Sequence, residues 1–142
     1  MLKGIAKLIS PELMMILLKM GHGDELVLAD GNFPSDSHAQ RLVRADGLGA
    51  PALLEAILPL FPLDTFVDDP VLVMRPVDAT ADEPEIWGDF RRLLAVDVET
   101  PVDLKALERF EFYDRARKAY AIVATGESAL YANLILKKGV VH

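Results

Sequence analysis

The chain reads as an α/β protein, a single three-layer α/β/α domain around a central mixed sheet. Three observations predict it. Short apolar runs rich in branched residues occur at ELVLA (25–29), VLVMRPV (71–77) and YAIVATG (120–126). Stretches with helical spacing lie between them, and Gly, Pro or Asp marks most of the changes of pattern. In chain order, Ser10 and Pro11 pair a capping hydroxyl with the residue favoured at the first helical position. Leu13, Met14, Leu17 and Leu18 follow at helical spacing, and Gly21 ends the helix. ELVLA is then a buried strand, closed by the turn residues Gly31, Asn32 and Pro34. A polar loop fills 31–40, and RLVRAD (41–46) reads as extended. PALLEAILPL (51–60) is a helix that Pro59 should end.

Residues 71–77 form the next strand, 78–84 a loop, and EIWGDFRRLLA (85–95) a helix with Ile86, Phe90, Leu93 and Leu94 on one side. VDLKAL (102–107) fits strand and helix equally well. Phe112, Tyr113, Ala116 and Tyr120 mark a helix to about Ala119, and YAIVATG and LYANLILKKG (130–139) are the last two strands. There is no repeat, low-complexity tract or linker, so 1–142 reads as one domain.

Composition narrows the function. A net charge of −7 argues against nucleic acid, whose phosphates demand a basic surface. The absence of cysteine excludes disulfides, thiolate zinc sites and cysteine nucleophiles. Charges and Pro11 interrupt the apolar opening, so it lacks the continuous core of a leader, and no run approaches the roughly 20 apolar residues of a membrane span. The expected location is the cytoplasm. A mean hydropathy of +0.23 leaves apolar residues to cover, and a homo-oligomeric interface is the simplest cover.

The segment MGHGDELVLADGNFP (20–34) carries the most chemistry. Asp30 ends a strand, at the edge where open α/β sheets usually bind ligands. His22 lies in the loop entering the same strand, between Gly21 and Gly23. A strand is roughly 20 Å long at most. The two therefore converge only if the His22 loop folds over or a neighbouring subunit supplies one of them. On the residues alone, His22 reads as a hydrogen-bonding loop residue and Asp30 as a turn or cap aspartate. Arg109 reads as a solvated helix-start charge, and Tyr131, Ala132 and Asn133 as strand residues of alternating orientation. His22, Asp24, Asp30, Asp36 and His38 lack the spacing of a metal site, and no metal is expected. Gly21-x-Gly23 precedes a strand, the reverse of a dinucleotide fingerprint.

GHGDELVLADGNFP resembles the N-terminal signature of the family containing L-fucose mutarotase and D-ribose pyranase. RADG (44–47), ERFEFYDRARKAYAIVATGE (108–127), YANLILKKGV (131–140) and the leader KLISPELMMILLKM extend the likeness over nearly the whole chain, in order. The resemblance implies a cofactor-independent isomerase that opens and recloses a free sugar ring. It implies His22 as proton donor, Asp30 and Arg109 as sugar-binding groups, and a YAN segment that lines the site through the Tyr131 and Asn133 side chains and the Ala132 backbone. It also implies a ring-shaped homo-oligomer, a decamer being the expected size, with sites completed by adjacent subunits. Arginine at 109 points to the fucose branch, because ribose pyranases tend to carry histidine there. Two alternatives stand beside it: a pyranose–furanose interconversion of D-ribose, and a non-catalytic sugar-binding partner of a transport system, in which His22 would have no purpose. The second proton-transfer group is left open, with Asp30 one candidate.

Overall fold

The computed structural model describes residues 1–78, 80–96 and 101–142. Its elements are α1 (Pro11–Lys19), β1 (Glu25–Ala29), α2 (Ser35–His38), β2 (Leu42–Ala45), α3 (Ala50–Ile57) with a 3₁₀ turn (Leu58–Leu60), β3 (Val71–Met74), α4 (Ile86–Leu94), β4 (Lys105–Leu107), α5 (Arg109–Lys118), β5 (Ala121–Thr125) and β6 (Leu134–Lys137). The strands form one six-stranded sheet in the order β2-β5-β1-β6-β3-β4. The sheet is mixed because β6 runs antiparallel to both β1 and β3, while the β1–β5, β2–β5 and β3–β4 pairs are parallel.

Period-2 alternation divides the core into two layers. Leu26 and Leu28, Val71 and Val73, and Leu134 and Leu136 pack with α1, α3 and α4 on one face. Val27, Ala29, Leu72, Met74 and Ile135 pack with Phe112 and Ala116 of α5 on the other. The expected three layers are present. Phe90 and Phe112, both fully buried, anchor the two layers, and truncating either to alanine costs about 3–5 kcal/mol.

Ser10 caps α1 as expected, its hydroxyl accepting the Leu13 N–H at 3.1 Å. The structure departs from the sequence expectation at four places. The polar loop at 31–40 contains the single turn α2, too short to show a period. The strand expected over 71–77 stops at Met74, two residues before Pro76, which lacks a ladder donor. The ambiguous 102–107 stretch supplies β4, pairing Lys105 with Leu72. The last strand starts at Leu134, not at 130, because Tyr131 has φ +59, a left-handed conformation that no strand tolerates.

Both ends of the sheet are held by close backbone approaches. A Cβ on Gly126 would lie 1.9 Å from the Asp46 carbonyl oxygen, and one on Gly139 would lie 2.6 Å from that of Leu63. Beside Gly126, the Glu127 carboxylate accepts the Ala50 N–H at the start of α3 and the Ala129 N–H, and its carbonyl accepts the Gly31 N–H.

Candidate functional site

The polar groups gather at opposite ends of β1. At its N-terminal end, the Gly21 N–H donates to Asp24 Oδ2 at 2.8 Å, and Gly23, at φ +86, donates its N–H to the Lys138 carbonyl. This tight turn presents His22 with 47% of its side chain exposed. The Pro62–Asp64 stretch runs alongside Lys138, joined by a bridge at Leu63, and carries Asp64 under the imidazole. Asp64 is 3% exposed, and its Oδ1 accepts both His22 Nε2–H at 3.2 Å and the Phe66 N–H at 3.0 Å. The Phe66 N–H, followed by His22, holds the Asp64 carboxyl below its ordinary 3.8 against the effect of desolvation. The Phe66 ring covers the imidazole at 5.4 Å. With Nε2 bound to a carboxylate, Nδ1 is the nitrogen left for proton exchange.

At the C-terminal end, Asp30 is 5% exposed and Asn133 is 3% exposed. They pair reciprocally: the Asp30 N–H donates to Asn133 Oδ1 at 2.8 Å, and Asn133 Nδ2 donates to Asp30 Oδ2 at 3.0 Å. That pattern admits one orientation of the amide. Asp30 Oδ1 accepts the Asn32 N–H at 3.0 Å. Burial pushes the Asp30 carboxyl above its ordinary 3.8, while the hydrogen bonds from Asn32, Asn133, Phe33 and the Ala132 backbone pull it down.

A cavity of about 200 Å³ opens beside this pair, lined by Asp30, Asn133, Tyr131, Arg109 and Tyr113 with Met74, Val77 and Leu130. Arg109 is the first residue of α5, whose N-terminus is capped by Glu108 accepting the Phe110 and Glu111 N–H groups. The Arg109 guanidinium lies over the Phe110 ring at 4.8 Å, and its buried Nε has no hydrogen-bond partner among the described residues. A cavity of about 310 Å³ adjoins on the other side of Asp30, bordered by Ser35, Arg44 and Asp46.

Of the residues singled out from sequence, Asp30, Arg109, Tyr131, Ala132 and Asn133 therefore meet at one edge. His22 does not join them. The five residues of β1 separate it from Asp30 by roughly 17 Å of strand. Tyr131, Ala132 and Asn133 lie in a turn leading into β6, which corrects their reading as strand residues. Two residues of evident importance had no sequence signal. Asp64 reaches His22 through a bridge across 42 positions, and Trp87 donates its indole N–H to the Tyr131 carbonyl at 3.0 Å.

A model of the RbsD / FucU transport protein family matches residues 3–141. The chain is similar to a mouse (Mus musculus) protein described as fucose mutarotase, 54% identical over 144 residues, covering 97% of this chain and 94% of that protein. It is similar to an L-fucose mutarotase of Haemophilus influenzae (strain 86-028NP), 48% identical over 140 residues, covering 99% of this chain and 97% of the relative. Among solved structures, a fucose mutarotase from Streptococcus pneumoniae in complex with L-fucose superimposes with a TM-score of 0.94 at 52% identity, over 99% of this chain and 100% of that one.

Proposed function

The chain belongs to the RbsD / FucU transport protein family, and from that premise we propose that it catalyses the mutarotation of L-fucose, interconverting the α and β anomers of the free pyranose without a cofactor. The observation that carries this reading is the likeness over the full chain, at about half identity, to proteins described as fucose mutarotases. Residues 1–142 act as one sugar mutarotase domain.

The reaction needs two proton movements. A donor protonates the ring oxygen as the C1–O5 bond breaks, a base takes the proton of the anomeric hydroxyl, and after rotation about C1–C2 the carbonyl is attacked from its other face. His22 serves as the donor through Nδ1, with Asp64 accepting from Nε2–H and stabilising the imidazolium. An imidazole suits both directions of transfer near neutrality. Asp30 accepts hydrogen bonds from sugar hydroxyls, and Asn133 and the Ala132 backbone hold it in place. The orphaned Nε of Arg109 supports a role for that side chain as a hydroxyl donor, and Tyr131 forms a wall of the pocket.

One chain keeps the donor and the pocket at opposite edges, so the proposed site is completed by a second copy, whose His22 edge covers the pocket of the first. Exposed Phe66 beside the imidazole, and exposed Val77, Phe110 and Leu130 around the pocket, are the apolar surfaces such a contact would bury. A ring-shaped homo-oligomer, with a decamer as the expected size, satisfies this arrangement for every chain. No described helix is long and apolar enough to cross a membrane, and the proposed location is the cytoplasm.

The test is magnetisation-exchange NMR on the anomeric protons of L-fucose at equilibrium, with and without the protein. Faster exchange is expected. No acceleration, with sugar binding retained, would favour the non-catalytic binding partner.

A further inference from the structure

Tyr131 holds an unusual backbone conformation. Its φ of +59 lies in the left-handed region, which an aromatic L-residue rarely adopts, and it is the one non-glycine residue with positive φ among those described. Such a conformation persists only where surrounding contacts over-determine it. Two contacts do so here, and both come from the connection between β3 and α4 or the first turn beyond it. The Val77 N–H donates to the Tyr131 hydroxyl at 3.3 Å, and Trp87 Nε1–H donates to the Tyr131 carbonyl at 3.0 Å.

The two bonds hold the residue at its carbonyl and at its hydroxyl, on either side of the sheet edge. Trp87 is 4% exposed and belongs to the core face built from α1, α3 and α4, whereas the Tyr131 ring packs on the α5 face and walls the cavity beside Asp30. A tryptophan needs only burial to earn its place in a core. This one also satisfies its N–H on a backbone carbonyl two residues before Asn133, the partner of Asp30.

We infer that Trp87 is a positioning residue for the sugar pocket: its indole N–H fixes the left-handed turn at Tyr131 and thereby sets both the phenol wall and the register of Asn133 against Asp30. The inference rests on the proposed placement of the sugar at that pocket. Because the chain contains a single tryptophan, Trp87 emission also reports occupancy of the pocket, through a hydrogen bond to a residue that lines it.

The experiment compares wild type, Trp87→Phe, and protein in which that tryptophan is replaced biosynthetically by benzothienylalanine, an isostere that differs at the N–H. L-Fucose exchange is measured over a range of sugar concentrations, alongside thermal unfolding and fluorescence titration. The expected result is a rise in KM of about tenfold for the isostere, the scale of one lost hydrogen bond, with kcat within about twofold because His22 is untouched. Saturating L-fucose should shift the Trp87 emission of the wild type. A purely structural role would lower the unfolding temperature and the active fraction while leaving KM alone. An isostere with wild-type KM, or wild-type emission insensitive to saturating fucose, overturns the inference. If the wild type does not accelerate fucose exchange at all, the proposed function fails instead, which separates the two. Should Trp87→Phe fail to fold, the isostere alone carries the test.

Discussion

At the entry end of β1 the His22 side chain is 47% exposed and, among the described residues, makes one hydrogen bond, whereas at the exit end Asp30 is 5% exposed and both its carboxylate oxygens are bound. The same strand thus presents a loosely held imidazole at one end and a rigid carboxylate–amide pair at the other. The difference fits two kinds of work. A sugar-reading group gains from preorganisation, because ordering it at the moment of binding would cost affinity. A proton donor must approach an oxygen that arrives from outside the chain, and in the proposed assembly that oxygen lies over another copy's pocket.

The greatest loss of activity should come from the exposed end of β1. His22→Ala should slow L-fucose exchange by about 10² to 10⁴ and leave binding largely intact, measured by exchange NMR and calorimetry on the same preparation. Undiminished exchange would remove His22 from the mechanism. Mixing sharpens the point. If sites span two copies, co-refolding inactive His22→Ala with inactive Asp30→Ala should restore about a quarter of wild-type activity, since one site in four draws both intact halves. No recovery in mixed assemblies, checked by mass, would place both halves in one chain.

A smaller effect is expected at the pocket. Losing one hydrogen bond from a charged group costs about 1.5–3 kcal/mol, so Arg109→His should narrow the preference for L-fucose over D-ribose by one to two decades in exchange rate. An unchanged ratio would place specificity elsewhere.

The smallest effect is the contrast in pH response. Burial raises the folded-state value of Asp30 above 3.8, so the folded protein keeps that proton to higher pH than the unfolded chain. Its contribution to stability is therefore greatest below 3.8 and declines as pH rises through the folded value. Asp64 behaves oppositely, contributing above 3.8 and losing that contribution as pH falls through its depressed value. If the Asp30 carboxylate accepts from the sugar as proposed, binding should consequently weaken on acidification at a pH above 3.8. Calorimetric titrations of L-fucose across pH 3 to 7 check this. A binding midpoint below 3.8 would contradict the upward shift of Asp30, and binding that does not weaken at all on acidification would remove Asp30 as the acceptor.

The buried end of this comparison was more legible in the sequence than the exposed one. ELVLA announces a strand because four consecutive apolar residues can be buried on both faces of a sheet, and Asp30 then falls at its end without further information. The separation of His22 from Asp30 also follows from strand length. Asp64 could not be found that way, because it meets His22 only after Leu63 bridges to Lys138, a pairing with no local signature in FPLDTFVDDP. The turn at Tyr131 is hidden in the sequence for a related reason. Left-handed backbone is announced by glycine or asparagine, and a tyrosine held there by Trp87 and Val77 looks like one more residue of a β-rich run.

The two edges, unlike in exposure, share one trait at Gly126 and Gly139. Each favours glycine, because a Cβ would fall within 3 Å of a carbonyl oxygen of the neighbouring segment and force the backbone to shift. The frame around both proposed half-sites is thus pinned by main-chain contact, independent of the side chains they carry. If Arg109 reads the sugar as proposed, it can vary and retune the choice of sugar on that fixed frame, while a scan of all substitutions should find Gly126 and Gly139 among the least tolerant positions.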